Sequence, residues 1–163
     1  ANSAKVPFVY ARGHGQVLES FEMLALAPGL TDAAFAAKAH TFTVINTNSP
    51  RVLDVPMAQG IIDFARHGQV SIITPFCLMG AMAPITVAGG LVLQHAESMF
   101  GITLAQLTRP GAPVMYGNFA SSVDMKSGAP AFGTPEHVKA TLGSGQLARR
   151  LGLPWRTASC QAW

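Results

Sequence analysis

The residues best placed for chemistry lie in one long loop, residues 120–133, which follows a short apolar strand at 114–116. The loop carries Asp124, Lys126 and Phe132, together with small polar residues. Connections between a strand and the next helix usually span only a few residues, so a loop of this length is unusual. In α/β folds, ligands bind at the carboxyl ends of parallel strands. We therefore predict that this loop borders a ligand site.

Two interpretations of the charged pair in this loop are open. Lys126 could form a Schiff base with a carbonyl substrate, as in a lyase or an aldolase-type barrel, if burial lowers its pKa. Alternatively, Asp124 and Lys126 are a solvated pair on a surface loop. The residue types alone do not separate an enzyme from a loop without chemistry.

The elements that must position this loop follow from the hydrophobic pattern. Strands are predicted at 6–10, 41–45, 70–73, 114–116 and 153–157. Helices are predicted at 16–27, 31–38, 56–67, 84–107 and 135–151. The last helix has a clear start at Thr134-Pro135-Glu136, because Thr favours the N-cap and Pro the first helical position.

This alternation of strands and helices predicts the fold class. Nearly all the strands are apolar, as in parallel strands buried on both faces. Parallel β/α units with right-handed crossovers build either an open doubly wound sheet or a TIM-type (β/α)8 barrel. A complete barrel needs about 250 residues. We predict that residues 1–163 form one partial barrel domain with about five of the eight strands.

Composition limits the classes of protein. The chain has 163 residues, of which 49% are hydrophobic, which excludes disorder. Only 12% are charged, whereas roughly 25% is typical of soluble domains. The low fraction of charged residues favours a homo-oligomer or a segment of a larger fold. The net charge is only +3 and the basic residues are scattered, so we expect no nucleic acid partner.

Localisation and cysteine content point to a cytoplasmic protein. The apolar stretch 84–107 is long, but Gln94, His95 and Glu97 interrupt it, so we predict a buried helix and no membrane contact. The first residues show no signal peptide. Cys77 and Cys160 lack the spacing of a zinc site or disulfide framework, so we expect reduced thiols and no tightly bound metal.

Five long motifs resemble one known family, the trimethylamine methyltransferases. They are Val-Ile-Asn-Thr-Asn-Ser-Pro (44–50), Thr-Pro-Phe-Cys-Leu-Met-Gly-Ala-Met-Ala-Pro-Ile-Thr (74–86), Gln-Leu-Thr-Arg-Pro-Gly-Ala-Pro-Val-Met-Tyr-Gly (106–117), Val-Asp-Met-Lys-Ser-Gly-Ala-Pro-Ala-Phe-Gly-Thr-Pro-Glu (123–136) and Gly-Gln-Leu-Ala-Arg-Arg-Leu-Gly-Leu-Pro-Trp-Arg (145–156). The motifs recur in the family in this order and cover the chain from Val9 to about Arg156. The residues from Ser159 to Trp163 depart from the family pattern.

The resemblance implies a TIM-like barrel and a corrinoid-dependent methyltransferase. Such an enzyme moves a methyl group from a small methylated amine, either trimethylamine or a quaternary amine such as glycine betaine, to cobalt. The cobalt belongs to a corrinoid (cobalamin) carried by a partner protein. The chain resembles an internal segment of a longer enzyme, and it contains no pyrrolysine, which some family members carry. The competing interpretation is an inactive barrel fragment that only binds a partner.

The implied substrate indicates which aromatic residues to consider. Aromatic faces hold a methylated ammonium, with roughly 0.5–2 kcal/mol from each ring. Phe76, Tyr116, Phe119 and Phe132 all fall at or just after predicted strand ends, where a cage would form. Plain core packing is the alternative for each of them.

The same argument identifies polar candidates for substrate binding. Asn46, Asn48 and Asn118 follow strands and could bind a substrate carboxylate or cap turns. Asp124 could offset the ammonium charge, and Lys126 could meet a carboxylate or the corrinoid partner.

Two further predictions concern charged groups in helix and strand. Arg156 could bind a carboxylate or form a structural ion pair. We expect Glu97, on the apolar helix, to be structural. No catalytic residue follows from the sequence.

Overall fold

Four parallel strands form the central sheet of the computed structural model, which describes residues 5–157. The helices are α1 (His14–Leu26), α2 (Asp32–Ala36), α3 (Val55–Arg66), α4 (Val87–Thr108) and α5 (Pro135–Arg150). The strands are β1 (Phe42–Ile45), β2 (Val70–Ile73), β3 (Leu78–Met79), β4 (Val114–Asn118), β5 (Ser121–Val123), β6 (Pro130–Ala131) and β7 (Trp155–Thr157). The prediction of parallel β/α units is confirmed.

The strands of the central sheet pair in chain order, β1-β2-β4-β7. The register aligns Ile45 with Ile73, Ile73 with Tyr116, and Tyr116 with Trp155. Aligned residues of a parallel sheet point to the same face. This row of four side chains therefore marks one face of the sheet.

The helices α3, α4 and α5 all pack against that marked face. A side chain on Gly60 of α3 would contact Ile45, one on Gly101 of α4 would meet Ile73, and one on Gly145 of α5 would contact Trp155. A doubly wound sheet would carry helices on both faces. Helices α3, α4 and α5 instead all lie on one face. The described strands form an open sheet, so barrel closure stays a prediction.

Side-chain caps mark the first turns of four of the helices. Thr31, Asp54, Thr86 and Thr134 each accept a hydrogen bond from the backbone N–H three residues later. The sequence predicted that helix α4 begins at residue 84, but in the structure it begins after Thr86. Helix α2 ends at Ala36, two residues before its predicted end.

Two predicted segments differ in the structure. Residues 6–10 were expected to form a strand but make only one parallel bridge, between Phe8 and Phe42. The loop 120–133 is not structureless, because β5 and β6 form a short antiparallel pair that joins β3 in a second sheet. A turn closed by bonds from Asp124 N–H to the Ala129 carbonyl and from Gly128 N–H to the Asp124 carbonyl links the two strands. Strands of two or three residues are too short for a period to appear in the sequence.

The main core lies between the marked face of the sheet and the helices. Phe21 of α1 packs edge-on against Phe64 of α3, with ring centroids 4.9 Å apart, and Ile45 and Ile61 are fully buried beside them. Between residues 5 and 157, no helix has both the length and the apolar character needed to cross a bilayer.

Candidate functional site

Three phenylalanines meet at the carboxyl edge of the central sheet. The ring centroids of Phe76 and Phe119 lie 5.0 Å apart, and those of Phe119 and Phe132 lie 5.2 Å apart. Phe76 and Phe119 are half-buried, and Phe132 is 45% exposed. These three rings, hereafter the aromatic cluster, include three of the four predicted aromatic residues.

The close approach of β2 and β4 positions the first two rings. Gly117, in β4, lies so near β2 that an added Cβ would meet Thr74 Oγ1 and the Ile73 carbonyl oxygen. Both strands end within two residues of this contact. The chain then continues from β2 to Phe76 and from β4 to Phe119, so the two rings emerge side by side.

The third ring is held by the start of α5. His137, in the first turn of that helix, is fully buried and donates from Nδ1 to the Ala120 carbonyl at 2.9 Å. Its ring packs edge-on against Phe132, with centroids 5.4 Å apart. His137 therefore links the segment after Phe119 to the segment that bears Phe132. Sequence reasoning missed His137, although its position three residues after the N-cap Thr134 was visible.

The asparagines at the end of β1 are near the same edge. Asn46 donates from Nδ2 to the Thr74 carbonyl at 3.2 Å, which connects the ends of β1 and β2. Asn48 is exposed, and its backbone pairs with Val52 in both directions. Asn48 therefore sits in a tight turn with its side chain in solvent. Both stay candidates for substrate binding.

Two other candidates lie in the core rather than at the open edge. Tyr116 is fully buried on the helix-facing side of the sheet, with its hydroxyl 3.0 Å from His95 Nδ1 on α4. Burial raises the pKa of Tyr116 to about 12. Asn118 is also fully buried, accepts from Ala120 N–H at 3.0 Å and donates to Thr157 Oγ1 at 3.2 Å. These contacts give both residues packing partners in the core, and a role for either in substrate binding stays a prediction.

The charged residues of the long loop are exposed. Asp124 accepts from Ser127 Oγ at 2.6 Å and from Lys126 N–H at 3.1 Å, and the Ser127 hydroxyl is the main cause of its lowered pKa. The Lys126 side chain lies in solvent on this turn, and Arg156 is exposed on β7. A Schiff-base lysine needs a desolvated pocket. The exposure of Lys126 therefore gives the aldolase-type alternative no support.

A second polar centre surrounds Glu97 of α4, which is only 4% exposed. Its carboxylate accepts hydrogen bonds from Thr47 Oγ1, from Ser49 Oγ at 2.7 Å and from Arg51 N–H at 2.6 Å. Cys77 Sγ lies 3.2 Å from Ser49 Oγ. Burial is the main reason that the pKa of the Cys77 thiol rises to about 12, so this thiol stays protonated and unreactive near neutral pH. Cys160 lies outside the described residues.

Residues 5–157 contain no group of three His, Cys, Asp or Glu side chains arranged to hold a metal ion. The described side chains at the carboxyl edge supply aromatic rings, amides and exposed charges. Aromatic faces attract small organic cations.

Comparison with known proteins gives consistent matches along the chain. A glycine betaine methyltransferase of Desulfitobacterium hafniense (strain Y51) is 36% identical over 156 residues, which is 96% of this chain and 32% of that protein. The trimethylamine methyltransferase MttB of Methanosarcina barkeri (strain Fusaro) is 35% identical over 155 residues, or 94% of this chain and 31% of that protein. MttB1 of Methanosarcina mazei is 41% identical over 106 residues, or 65% of this chain and 21% of that protein.

The chain thus spans about a third of the length of the first two relatives. The sequence model of the family described as trimethylamine methyltransferase (MTTB) matches residues 1–162. That match extends over far more than half of the chain, in agreement with the five motifs. The chain therefore belongs to the trimethylamine methyltransferase family.

Proposed function

We propose that this chain is part of an enzyme that transfers a methyl group from a methylated amine to the cobalt of a partner corrinoid protein. The amine is trimethylamine or a quaternary amine such as glycine betaine. The observation that carries the proposal is the aromatic cluster at the carboxyl edge of a parallel sheet, in a chain of this family. The names of the relatives support the same class of substrate.

The aromatic cluster supplies binding energy for the cationic head. Each ring that presents its face to a methylated ammonium contributes roughly 0.5–2 kcal/mol. Phe76 and Phe119 are half-buried, so water is partly excluded where the cation would lie, which strengthens the attraction. Asn46 and Asn48 follow β1 at the same edge and are the candidates for a substrate carboxylate, where one is present.

Positioning is the main catalytic task of such a site. The substrate would have to be an ammonium, either a quaternary amine or protonated trimethylamine. Its carbon–nitrogen bond would then break with the electron pair on nitrogen, and a neutral tertiary or secondary amine would leave. The corrinoid of the partner would supply the nucleophile that takes the methyl group. The residues of this chain must hold the nitrogen so that one methyl group points out of the sheet edge toward the partner.

The exposed tip of the long loop fits the approach of a partner protein. Met125 and Lys126 are both exposed on the turn between β5 and β6, and Phe132 lies at the base of the same unit. An exposed methionine offers adaptable apolar contact, and a lysine offers a positive charge. We propose that this turn meets the corrinoid protein.

We also propose that the central sheet is an arc of a TIM-type barrel. Chain-order pairing and helices on one face support it. The opposite face of the sheet exposes about half of Phe8, whose ring packs on Phe42 at 5.6 Å. Such an apolar surface fits the interior of a closed barrel.

Self-association is proposed from the outer surface of α4. Val92, Phe100 and Leu107 are exposed there. Helix α4 has no Asp, Lys or Arg, and its one Glu, Glu97, is buried. An uncharged helix surface can meet a second copy without burying charge.

The test is methyl transfer to cob(I)alamin, followed by absorbance, with trimethylamine, glycine betaine and related amines offered in turn. The longer parent protein and the 163-residue chain are assayed side by side. We expect turnover by the parent with at least one amine. Turnover by the short chain would place the whole site within it, and no turnover by either protein would refute the proposal.

A further inference from the structure

Glu97 is a buried carboxylate that the proposed chemistry does not use. Its two oxygens accept from Thr47 Oγ1, Ser49 Oγ and Arg51 N–H, and Cys77 Sγ lies 3.9 Å away. Within residues 5–157, no Lys, Arg or His side chain forms an ion pair with it. Hydrogen-bond donors alone therefore satisfy this charge, and a buried carboxylate needs all of them.

These donors come from two different loops. Thr47, Ser49 and Arg51 belong to the loop between β1 and α3, and Cys77 belongs to the segment between β2 and β3. Glu97 itself lies on α4, and in the sequence it is 46 residues from Arg51 and further from Thr47 and Ser49. One carboxylate thus joins three parts of the chain that are distant in sequence.

The β1–α3 loop is joined to α4 through this carboxylate. Its outer residues Asn48, Pro50, Arg51 and Val52 are all exposed, so few apolar contacts hold the tip. Arg51 also adopts a left-handed backbone conformation, with φ of 61°, which is unfavourable for a residue with a side chain. The bond from Arg51 N–H to Glu97 Oε1 compensates for this conformation and fixes the direction of the turn.

Both loops carry groups that we expect to touch the substrate. Asn46 begins the β1–α3 loop, and Asn48 lies within it. Phe76, a member of the aromatic cluster, immediately precedes Cys77 in the chain. A shift of either loop would therefore change the distance between the polar groups and the aromatic faces.

We propose that Glu97 is a positioning residue of the methyl-transfer site, an inference that rests on the proposed function. Its carboxylate holds the β1–α3 loop and the β2–β3 segment at a fixed separation. It acts on the substrate only through Asn46, Asn48 and Phe76. Thr47 and Ser49 act with it, because their hydroxyls point inward to Glu97 instead of outward to the ligand edge.

Glu97→Leu and Glu97→Gln in the full-length parent protein test this role. Leucine removes every acceptor, and glutamine keeps one oxygen for Arg51 N–H while the two hydroxyls can turn to accept from its amide. Misplacement of a binding loop by about 1 Å costs about 10- to 100-fold in kcat/KM. We expect E97L to lose activity in this range, with a rise in KM as the larger part, and E97Q to recover most of the loss.

Asp63→Leu is the matched control. Asp63 of α3 is equally buried and also lacks a lysine or arginine partner among the described residues, but its bonds go to His14 Nδ1 at 2.9 Å and Gln59 Nε2 at 2.8 Å. D63L should lower the melting temperature as E97L does and leave KM unchanged. Equal KM values in E97L and wild type, or an equal rise in D63L and E97L, would overturn the proposal.

Thr47→Val is the second variant, in case E97L does not fold. Valine has the shape of threonine and removes one donor to Glu97. We expect T47V to fold and to raise KM by a smaller factor, and an unchanged KM would contradict the positioning role.

Amide hydrogen exchange separates this inference from the proposed function. If the wild-type protein transfers no methyl group from any amine, the proposed function fails, and exchange of the 47–53 and 76–79 amides still reports on Glu97. Faster exchange in both segments in T47V and E97L, but not in D63L, supports the role of Glu97 as the anchor of both loops. Unchanged exchange refutes it.

Discussion

At the residue scale, the aromatic cluster is the feature on which substrate binding depends. Phe119 is its central member, since its ring lies within 5.2 Å of both neighbours, centroid to centroid. It follows β4 directly and is half-buried. Replacing Phe119 by leucine would remove one aromatic face that contacts the cation but would keep most of the apolar volume.

We therefore predict that Phe119→Leu in the parent protein weakens binding of a quaternary amine. Loss of one cation–π contact of about 0.5–2 kcal/mol corresponds to a rise in KM of about 2- to 30-fold. Steady-state kinetics of methyl transfer measures it. Phe35→Leu, a change of the same type in the buried core beside Phe21, is the control and should leave KM unchanged. A KM for F119L equal to that of wild type would remove Phe119 from the site.

Cys77 and Tyr116 make a second residue-scale prediction, on alkaline stability. Burial raises the pKa of Cys77 from 9.0 to about 12 and that of Tyr116 from 10.0 to about 12. The unfolded chain loses the Cys77 proton above pH 9 and the Tyr116 proton above pH 10, while the folded protein keeps both. The stabilisation from each group is therefore complete below its unfolded pKa and is lost from there toward pH 12, by about 1.4 kcal/mol per pH unit.

Urea unfolding of wild type and Cys77→Ala at several pH values between 8 and 11 measures this dependence. The variant is expected to be less stable at pH 8 because it leaves a small cavity. Its free energy of unfolding should fall less steeply with pH than that of wild type. Parallel curves would mean that the thiol does not titrate differently in the two states.

At the element scale, the contact between β2 and β4 decides where the site lies. The two strands run side by side in parallel register, and each ends near the aromatic cluster. Gly117 permits this contact, because an added Cβ would overlap Thr74 Oγ1 and would lie 2.7 Å from the Ile73 carbonyl oxygen. One of these atoms is backbone, so the strand itself would have to move.

Gly117→Ala should therefore destabilise the protein by about 2–3 kcal/mol or more, through overpacking between two strands. Gly145→Ala in α5 is the comparison, because its Cβ would make ordinary contacts of 3.4–3.5 Å with the Trp155 ring. Replacing a helical glycine by alanine contributes up to about 1 kcal/mol to stability. Urea titrations of both variants check the pair, and equal stability of G117A and wild type would refute the close approach.

At the scale of the whole molecule, helices α3, α4 and α5 pack on one face of the described sheet, and none of these three lies on the other face. Phe42 and Val44 alternate with Thr43 and Ile45 along β1, and only the latter pair is fully buried. The face without helices includes Val44 and Met115, both half-buried. If the sheet is an arc of a barrel, this face becomes interior in the longer protein.

Val44→Asp distinguishes the two environments. In the 163-residue chain alone, a carboxylate at this half-buried position can reach water, and we expect only a small loss of stability and weaker binding of a hydrophobic dye. In the proposed longer enzyme, if its barrel closes, the same carboxylate would be buried without a partner, which costs several kcal/mol. Thermal melts of the variant in both proteins measure the contrast. Equal effects in the two proteins would argue against a barrel interior at Val44.

The sequence by itself determined the family, the class of fold and most element boundaries. Five motifs identified the family. The alternation of apolar strands with helices predicted the parallel β/α pattern, because short-range periodicity and caps such as Thr134 are local properties of the sequence. Phe76, Phe119 and Phe132 were also predicted from the sequence to form an aromatic cage, since each falls near a strand end, and the structure places their rings side by side.

Only the tertiary structure decided which side chains lie close together and which are buried. Tyr116 and Phe119 are three residues apart, yet one is buried under α4 and the other lies at the open edge. A strand that is apolar on both faces has no alternation from which to read its orientation. The contacts of Glu97 with Thr47 and of His137 with Ala120 join residues 50 and 17 positions apart. Such contacts arise when the helices pack on the sheet, and no local pattern in the sequence encodes them.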